Sequence, residues 1–289
     1  MSDQAQNLRL RLQNLQQNKM ETKAIAVISG KGGVGKSNFA LNFSLSLAKK
    51  GQRVLLFDMD IGMGNIDILM GVSPENTIVD IFTKQMSIHD IIKKGPHNLS
   101  YVAGGTGFSK IFSFDSMKIQ FFFDELHKLL QDYDYIIFDM GAGLSEGYLE
   151  ILMAVHDVFV ITTTEPTAIT DAYATMKYIY IMDQQTPFYL VVNRAHTEKE
   201  GEITMRRLTN AVQQFLQKQV IQFGLLPEDR AVSRAVSSQT PFIIHDPKSN
   251  ASKALEQMTE RYLSKSFEST IPSRSFSFVA KLRQYFFER

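Results

Sequence analysis

The chain has 289 residues, with 31 basic and 30 acidic side chains and a formal charge of +1. That balance argues against a general nucleic-acid binder, which carries a basic excess, so no specific nucleic-acid partner is expected. Hydrophobic residues make up 44% and cysteine is absent, which provides for a full core and excludes disulfide scaffolds, thiolate metal centres and a cysteine nucleophile.

The first 22 residues read as a separate head. Ala5, Leu8, Leu12 and Leu15 fall within about 80° of one another at the helical step, and Asp3 can cap the helix start. Such a stripe suits a helix docked on its own body, a frayed terminus or a partner-binding element. The head lacks the apolar central stretch of a secretory signal, and no run reaches the roughly 20 apolar residues that span a bilayer. A cytoplasmic location is expected.

Residues 23–263 alternate apolar, β-rich runs with helical stretches. The runs are 24–29, 53–58, 99–104, 135–140, 157–163, 188–193 and 220–226, with helices expected over Ser37–Lys50, Asp115–Gln131 and Thr167–Asp183. Near-continuous apolar strands between helices predict a doubly wound, mostly parallel α/β sheet covered on both faces.

Directly after the first run stands Gly30-Lys31-Gly32-Gly33-Val34-Gly35-Lys36-Ser37, followed by Asn38. It fits the phosphate-binding pattern G-x-x-x-x-G-K-[ST] in the strand-to-helix context that gives it meaning. Glycines let backbone N–H groups turn inward onto phosphate oxygens, and the helix N-terminus adds a favourable dipole. Lys36 is expected on the β- and γ-phosphates of the nucleotide, and the Ser37 hydroxyl on Mg2+. Asp58 and Asp60 end the second run, and Asp139 ends the fourth. Carboxylates two apart on a strand project to the same side. Asn193 and the Pro227-Glu228-Asp229 segment end later strands, where ligands bind in open parallel sheets.

After a Ser-rich linker over 264–275 come fourteen residues, FSFVAKLRQYFFER. Phe278, Leu282 and Phe286 make a row at i, i+4 and i+8, with Phe276, Val279 and Phe287 beside it. Lys281, Gln284 and Glu288 lie opposite. The face suits a final helix packed on the body or a helix lying in a lipid interface. The linker and the surrounding cations favour an anionic membrane surface.

With Lys31 as an extra lysine, the loop resembles the deviant P-loop of the MinD/ParA ATPases. The resemblance implies ATP and ADP as ligands with Mg2+, and an ATP-dependent homodimer in which Lys31 reaches the partner's phosphates. It implies that Asp60 positions the attacking water, that Asp58 and Asp139 hold the metal through water, and that Gly141 and Gly143 belong to a second switch. Asn193 and residues 227–229 would read the base. The stretch from Asp58 to Gly71, and Thr164-Glu165-Pro166 leading to Asp171-Ala172-Tyr173, resemble the MinD-like subgroup. Asp3-Gln4-Ala5-Gln6-Asn7-Leu8-Arg9 is similar to the D-Q-A-x-x-L-R element of FlhG-type flagellar-number regulators (YlxH or FleN). This implies slow ATPase activity, control of flagellar placement and number, stimulation of the FlhF GTPase through the head, and contact with flagellar basal-body C-ring components. Both subgroups end in a membrane-targeting helix. The rival readings are a MinD-type division-site regulator and a nucleotide-gated adaptor for basal-body parts.

Overall fold

The computed structural model describes residues 22–60, 64–105, 116–141, 146–266 and 276–287. Strands β1 (Lys23–Ile28), β2 (Val54–Met59), β3 (Lys93–Lys94), β4 (Ser100–Val102), β5 (Tyr135–Met140), β6 (Asp157–Thr162), β7 (Phe188–Ala195) and β8 (Ile221–Pro227) form one sheet. Their order is β3-β4-β2-β5-β1-β6-β7-β8. Every pairing is parallel except β3 with β4. The seven expected runs each became a strand. The two-residue β3 was not expected, because a Lys-Lys edge pair carries no apolar pattern.

Every residue of β2, β5 and β6 is buried, as a sheet covered on both faces requires. Alternation along β1 divides the core: Ala24, Ala26 and Ile28 face one layer, Ile25 and Val27 the other. The first layer holds helices Ser116–Leu129, Glu146–Ala154, Pro166–Met182 and Glu198–Leu216. The second is built on Lys36–Lys49 and Asn250–Leu263.

Helix Lys36–Lys49 carries the phosphate-loop lysine and is fixed by aromatic packing. Phe43 stands 5.5 Å from Phe39, 5.2 Å from Phe159 and 5.6 Å from Tyr262, ring centre to ring centre. The Tyr262 hydroxyl donates to Asp157 Oδ2 at 2.6 Å, and Lys23 Nζ lies 2.7 Å from the same oxygen. The start of β1 is thereby tied to the last body helix.

The amphipathic tail forms helix Phe278–Phe287 and turns its apolar face onto the body. Phe278, Val279 and Leu282 are buried in the first core layer. Phe278 packs on Phe138 with ring centres 5.4 Å apart, and Phe286 meets Phe123 edge-on at 5.1 Å. Phe287 is half exposed, and Phe276 stacks on His156. The face expected in lipid is therefore seated in a protein groove, since its pattern satisfies either apolar surface. Among the described residues no helix is long and apolar enough to cross a membrane. Asp3, Gln4, Ala5, Leu8 and Arg9 of the head lie outside the described residues, as do positions 267–275 of the linker.

Phe43→Ala should remove the ring around which this packing is organised and lower the unfolding free energy by about 3–5 kcal/mol. Denaturant unfolding checks this; a loss below about 1 kcal/mol would mean the cluster closes over the gap.

Candidate nucleotide site

The phosphate loop leaves β1 where the strand order reverses, with β5 on one side and β6 on the other. Its shape depends on close approach. A Cβ on Gly30 would stand 2.2 Å from the Asp171 backbone, so the loop packs against helix Pro166–Met182 with nothing between them. Gly35 has φ +90, and a Cβ there would meet Asn193 Nδ2 at 2.3 Å.

Lys36 Nζ lies 2.7 Å from Asp139 Oδ1 and 3.2 Å from Ser37 Oγ. Both members of the ion pair are buried, with side chains 6% and 0% exposed. Asp58 sits opposite Asp139 in the β2–β5 register. Its Oδ1 accepts from Asp60 N at 3.0 Å, and its Oδ2 from Asn65 N at 2.8 Å and Ile66 N at 3.1 Å. Burial first, and then the neighbouring Asp139, push the Asp58 carboxyl up to about 7 against those donors. Burial also raises Asp139, while Lys36 pulls it back. Asp60 stands at the rim, where Asn65 Nδ2 donates to its Oδ2 at 3.3 Å.

The buried Oδ2 of Asp139 has no hydrogen-bond partner. An orphaned carboxylate oxygen, a second crowded carboxyl and the Ser37 hydroxyl together fit a hydrated Mg2+. Ser37 would ligate the ion, with Asp58 and Asp139 acting through water.

Lys31 does not join this cluster. Its ammonium lies 2.7 Å from Glu165 Oε2 and 3.1 Å from Thr167 Oγ1, at the exposed edge of the site. Lys31 holds the Glu165 carboxyl below its usual range. Neither partner was expected from the sequence, where Glu165 stood only as part of a subgroup resemblance and Thr167 only as the start of an expected helix.

Beside the loop opens a cavity of about 370 Å³. Asn38, Asn193, Arg194, Pro227, Glu228 and Asp229 line it, together with Val232, Val236 and Phe242, which the sequence did not single out. Asn193 is already employed: Nδ2 donates to Val34 O at 2.8 Å, and Oδ1 accepts from Arg194 N at 2.9 Å. One N–H and one lone pair remain for a base edge. Arg194 has φ +54 and lies in the register irregularity of the β7–β8 pairing between Val192 and Ala195. Asp229 accepts from Ala231 N at 2.8 Å and Ala251 N at 3.2 Å. It is a helix cap that shapes the wall. Gly141 is described at the end of β5, whereas Ala142 and Gly143 lie outside the described residues.

The chain matches the family model described as an AAA domain over residues 22–190. It is 31% identical to the antiactivator FleN of Pseudomonas aeruginosa, over 83% of this chain and 85% of that one. It is 38% identical to the flagellum site-determining protein YlxH of Helicobacter pylori, over 66% and 64%. The septum site-determining protein MinD of Bacillus subtilis is 31% identical over 91% and 98%. Among solved structures, MinD of Pyrococcus horikoshii complexed with Mg-ADP aligns with a TM-score of 0.70 at 22% identity, covering 85% of this chain and 97% of that one. Fold and site define a P-loop ATPase of the MinD/ParA type. The chain belongs to the FlhG branch of that family, the branch of FleN and YlxH.

Two outcomes follow. Gly35→Ala should abolish nucleotide binding while leaving the fold intact, because its Cβ strikes Asn193 in a backbone conformation that disfavours side chains; calorimetry and circular dichroism together check this. A carboxyl raised on folding stabilises the folded state at low pH, and that contribution disappears as pH rises from the ordinary value of about 4 to the folded value of about 7. The melting temperature of the nucleotide-free protein should therefore fall between pH 5 and 7.5, and Mg2+ with nucleotide should flatten the slope.

Proposed function

We propose that this chain binds ATP with Mg2+, dimerises, associates with the membrane and controls the placement and number of flagella. Its head would stimulate the FlhF GTPase, and its body would engage C-ring components of the flagellar basal body. The observation that carries the nucleotide reading is the buried Lys36–Asp139 pair beside Asp58 and the orphaned Asp139 oxygen. That arrangement is costly without an anion and a dication to complete it.

Lys36 would hold the β- and γ-phosphates in place of Asp139, and Ser37 would ligate the metal. Asp60 orients the attacking water. Lys31, which contacts Glu165 and Thr167 outside the Lys36–Asp139 cluster, would reach the phosphates of a second copy. ATP supplies the anhydride to be cleaved, and Mg2+ neutralises its charge.

The tail supports a membrane switch. Burying Phe278, Val279 and Leu282 in the groove stabilises the docked helix by about 1.5–3 kcal/mol per side chain. A lipid interface offers the same face a comparable gain. Phe278 rests on Phe138, the neighbour of Asp139, so docking and the metal site share one strand. Two tails on a dimer bind a surface far more tightly than one.

The extent of the match to Bacillus subtilis MinD, 98% of its length, keeps a division-site regulator as the second reading. Recovery of FlhF from cell extract by the full chain, but not by residues 21–289, supports the flagellar reading; altered septum placement with normal flagellar number in a deletion strain would favour the other.

Asp60→Ala should retain ATP and accumulate dimers without hydrolysis, whereas Lys31→Ala should bind ATP and remain monomeric. Size-exclusion chromatography with ATP reports both, and a monomeric Asp60→Ala protein would remove that residue from water positioning. Leu282→Glu should undock the tail and also weaken vesicle sedimentation several-fold, because one charge spoils the face for groove and lipid alike.

A further inference from the structure

We infer that Asn42 is a positioning residue for the nucleotide: it fixes which end of the Asn38 amide faces the cavity, so that a donor and not an acceptor meets the ligand. The inference rests on the proposed reading of that cavity as part of the nucleotide site.

Asn42 lies in helix Lys36–Lys49, one turn beyond Asn38, and is wholly buried. A buried amide is tolerated only when its polar atoms are met, and here both ends are. Ile243 N donates to Asn42 Oδ1 at 3.1 Å. Asn42 Nδ2 donates to the Asn38 carbonyl and to Asn38 Oδ1, each at 2.8 Å. Ile243 belongs to the short helix Phe242–His245, where Pro241 offers no capping side chain and Asn42 serves instead.

The two ends of an asparagine amide are told apart by their partners. A backbone N–H can only donate, so the Asn42 atom that meets Ile243 must be its oxygen. A backbone carbonyl can only accept, so the atom that meets Asn38 O must be its nitrogen. Both conditions give the same orientation. The second hydrogen on that nitrogen needs an acceptor of its own, which sets the Asn38 amide with its oxygen towards Asn42. Asn38 Nδ2 is left for the cavity that Asn38 lines, and among the described residues nothing accepts from it.

The position gives this donor its use. Asn38 directly follows Ser37, where the phosphate loop meets the cavity. A nucleotide with its outer phosphates on Lys36 and its base beside Asn193 would pass Asn38 with its innermost phosphate. Phosphate oxygens accept and do not donate, so an outward nitrogen attracts them and an outward oxygen repels them. An unrestrained asparagine would offer either end. Asn42 removes the wrong one before the nucleotide arrives, which lowers the cost of binding.

Calorimetric titration of the full chain with ATP and with ADP, each with Mg2+, tests this through a double-mutant cycle. Asn42→Leu, which keeps the branched shape without polar atoms, and Asn42→Ala are each checked for folding by circular dichroism. Both should weaken the two nucleotides alike, by about threefold to tenfold, and Asn38→Ala should do about the same. Added to Asn38→Ala, neither Asn42 variant should weaken binding further, because no amide remains to be oriented. A full second loss in the Asn38→Ala background overturns the inference, since Asn42 would then act through the cavity wall at Phe242 or through its own helix. Unchanged affinity in both Asn42 variants, or a loss confined to ATP, also overturns it and leaves the nucleotide reading standing. A wild-type chain that binds neither nucleotide removes that reading and the role of Asn42 with it.

Discussion

The buried pair of Lys36 and Asp139 is the constraint around which the rest of the site is arranged. Two opposite charges taken out of water cost several kcal/mol each, which their attraction only partly returns. The pair survives because helix Lys36–Lys49 is locked by the Phe43 cluster and Asp139 is fixed between two neighbouring strands. It leaves one Asp139 oxygen unbonded and crowds Asp58. The buried pair, the orphaned oxygen and the raised carboxyl are three aspects of one crowded electrostatic arrangement, and a metal–nucleotide ligand has charges that complement it.

The sequence was most informative where backbone geometry leaves few alternatives. A loop of glycines ending in Lys-Ser between strand and helix has few uses, and uninterrupted apolar runs such as residues 135–140 belong in a double-faced sheet. Side-chain partners across the fold were less legible. Nothing near Lys31 marks Glu165 and Thr167, 134 and 136 positions away, as its partners. Asn193 read as a base-recognising amide, and spacing alone could not reveal that half of its bonding capacity goes to Val34 and Arg194. The tail illustrates a different limit. Amphipathic periodicity reports that a face must be apolar, and it is silent on whether protein or lipid provides the cover.

The outward set of Lys31 and the inward set of Lys36 divide labour within a single loop. Five residues apart, one is half exposed and tied to a surface glutamate, while the other is buried on a strand carboxylate. The Lys31 ammonium is met by Glu165 and Thr167, and the Lys36 ammonium by Asp139 and Ser37, so the two lysines share no partner.

The hydrogen bond from Asn193 to the Val34 carbonyl, with the amide nitrogen against the Gly35 α-carbon, makes the adjoining cavity and the glycine loop one mechanical part. A designer who enlarged the cavity at position 193 would also remove the brace under the loop. The width of the cavity and the shape of the loop cannot be tuned separately at this position. Val232 and Val236 line the same cavity from helix Arg230–Ser237 and take no part in that hydrogen bond, so the cavity can be reshaped there with the brace left in place.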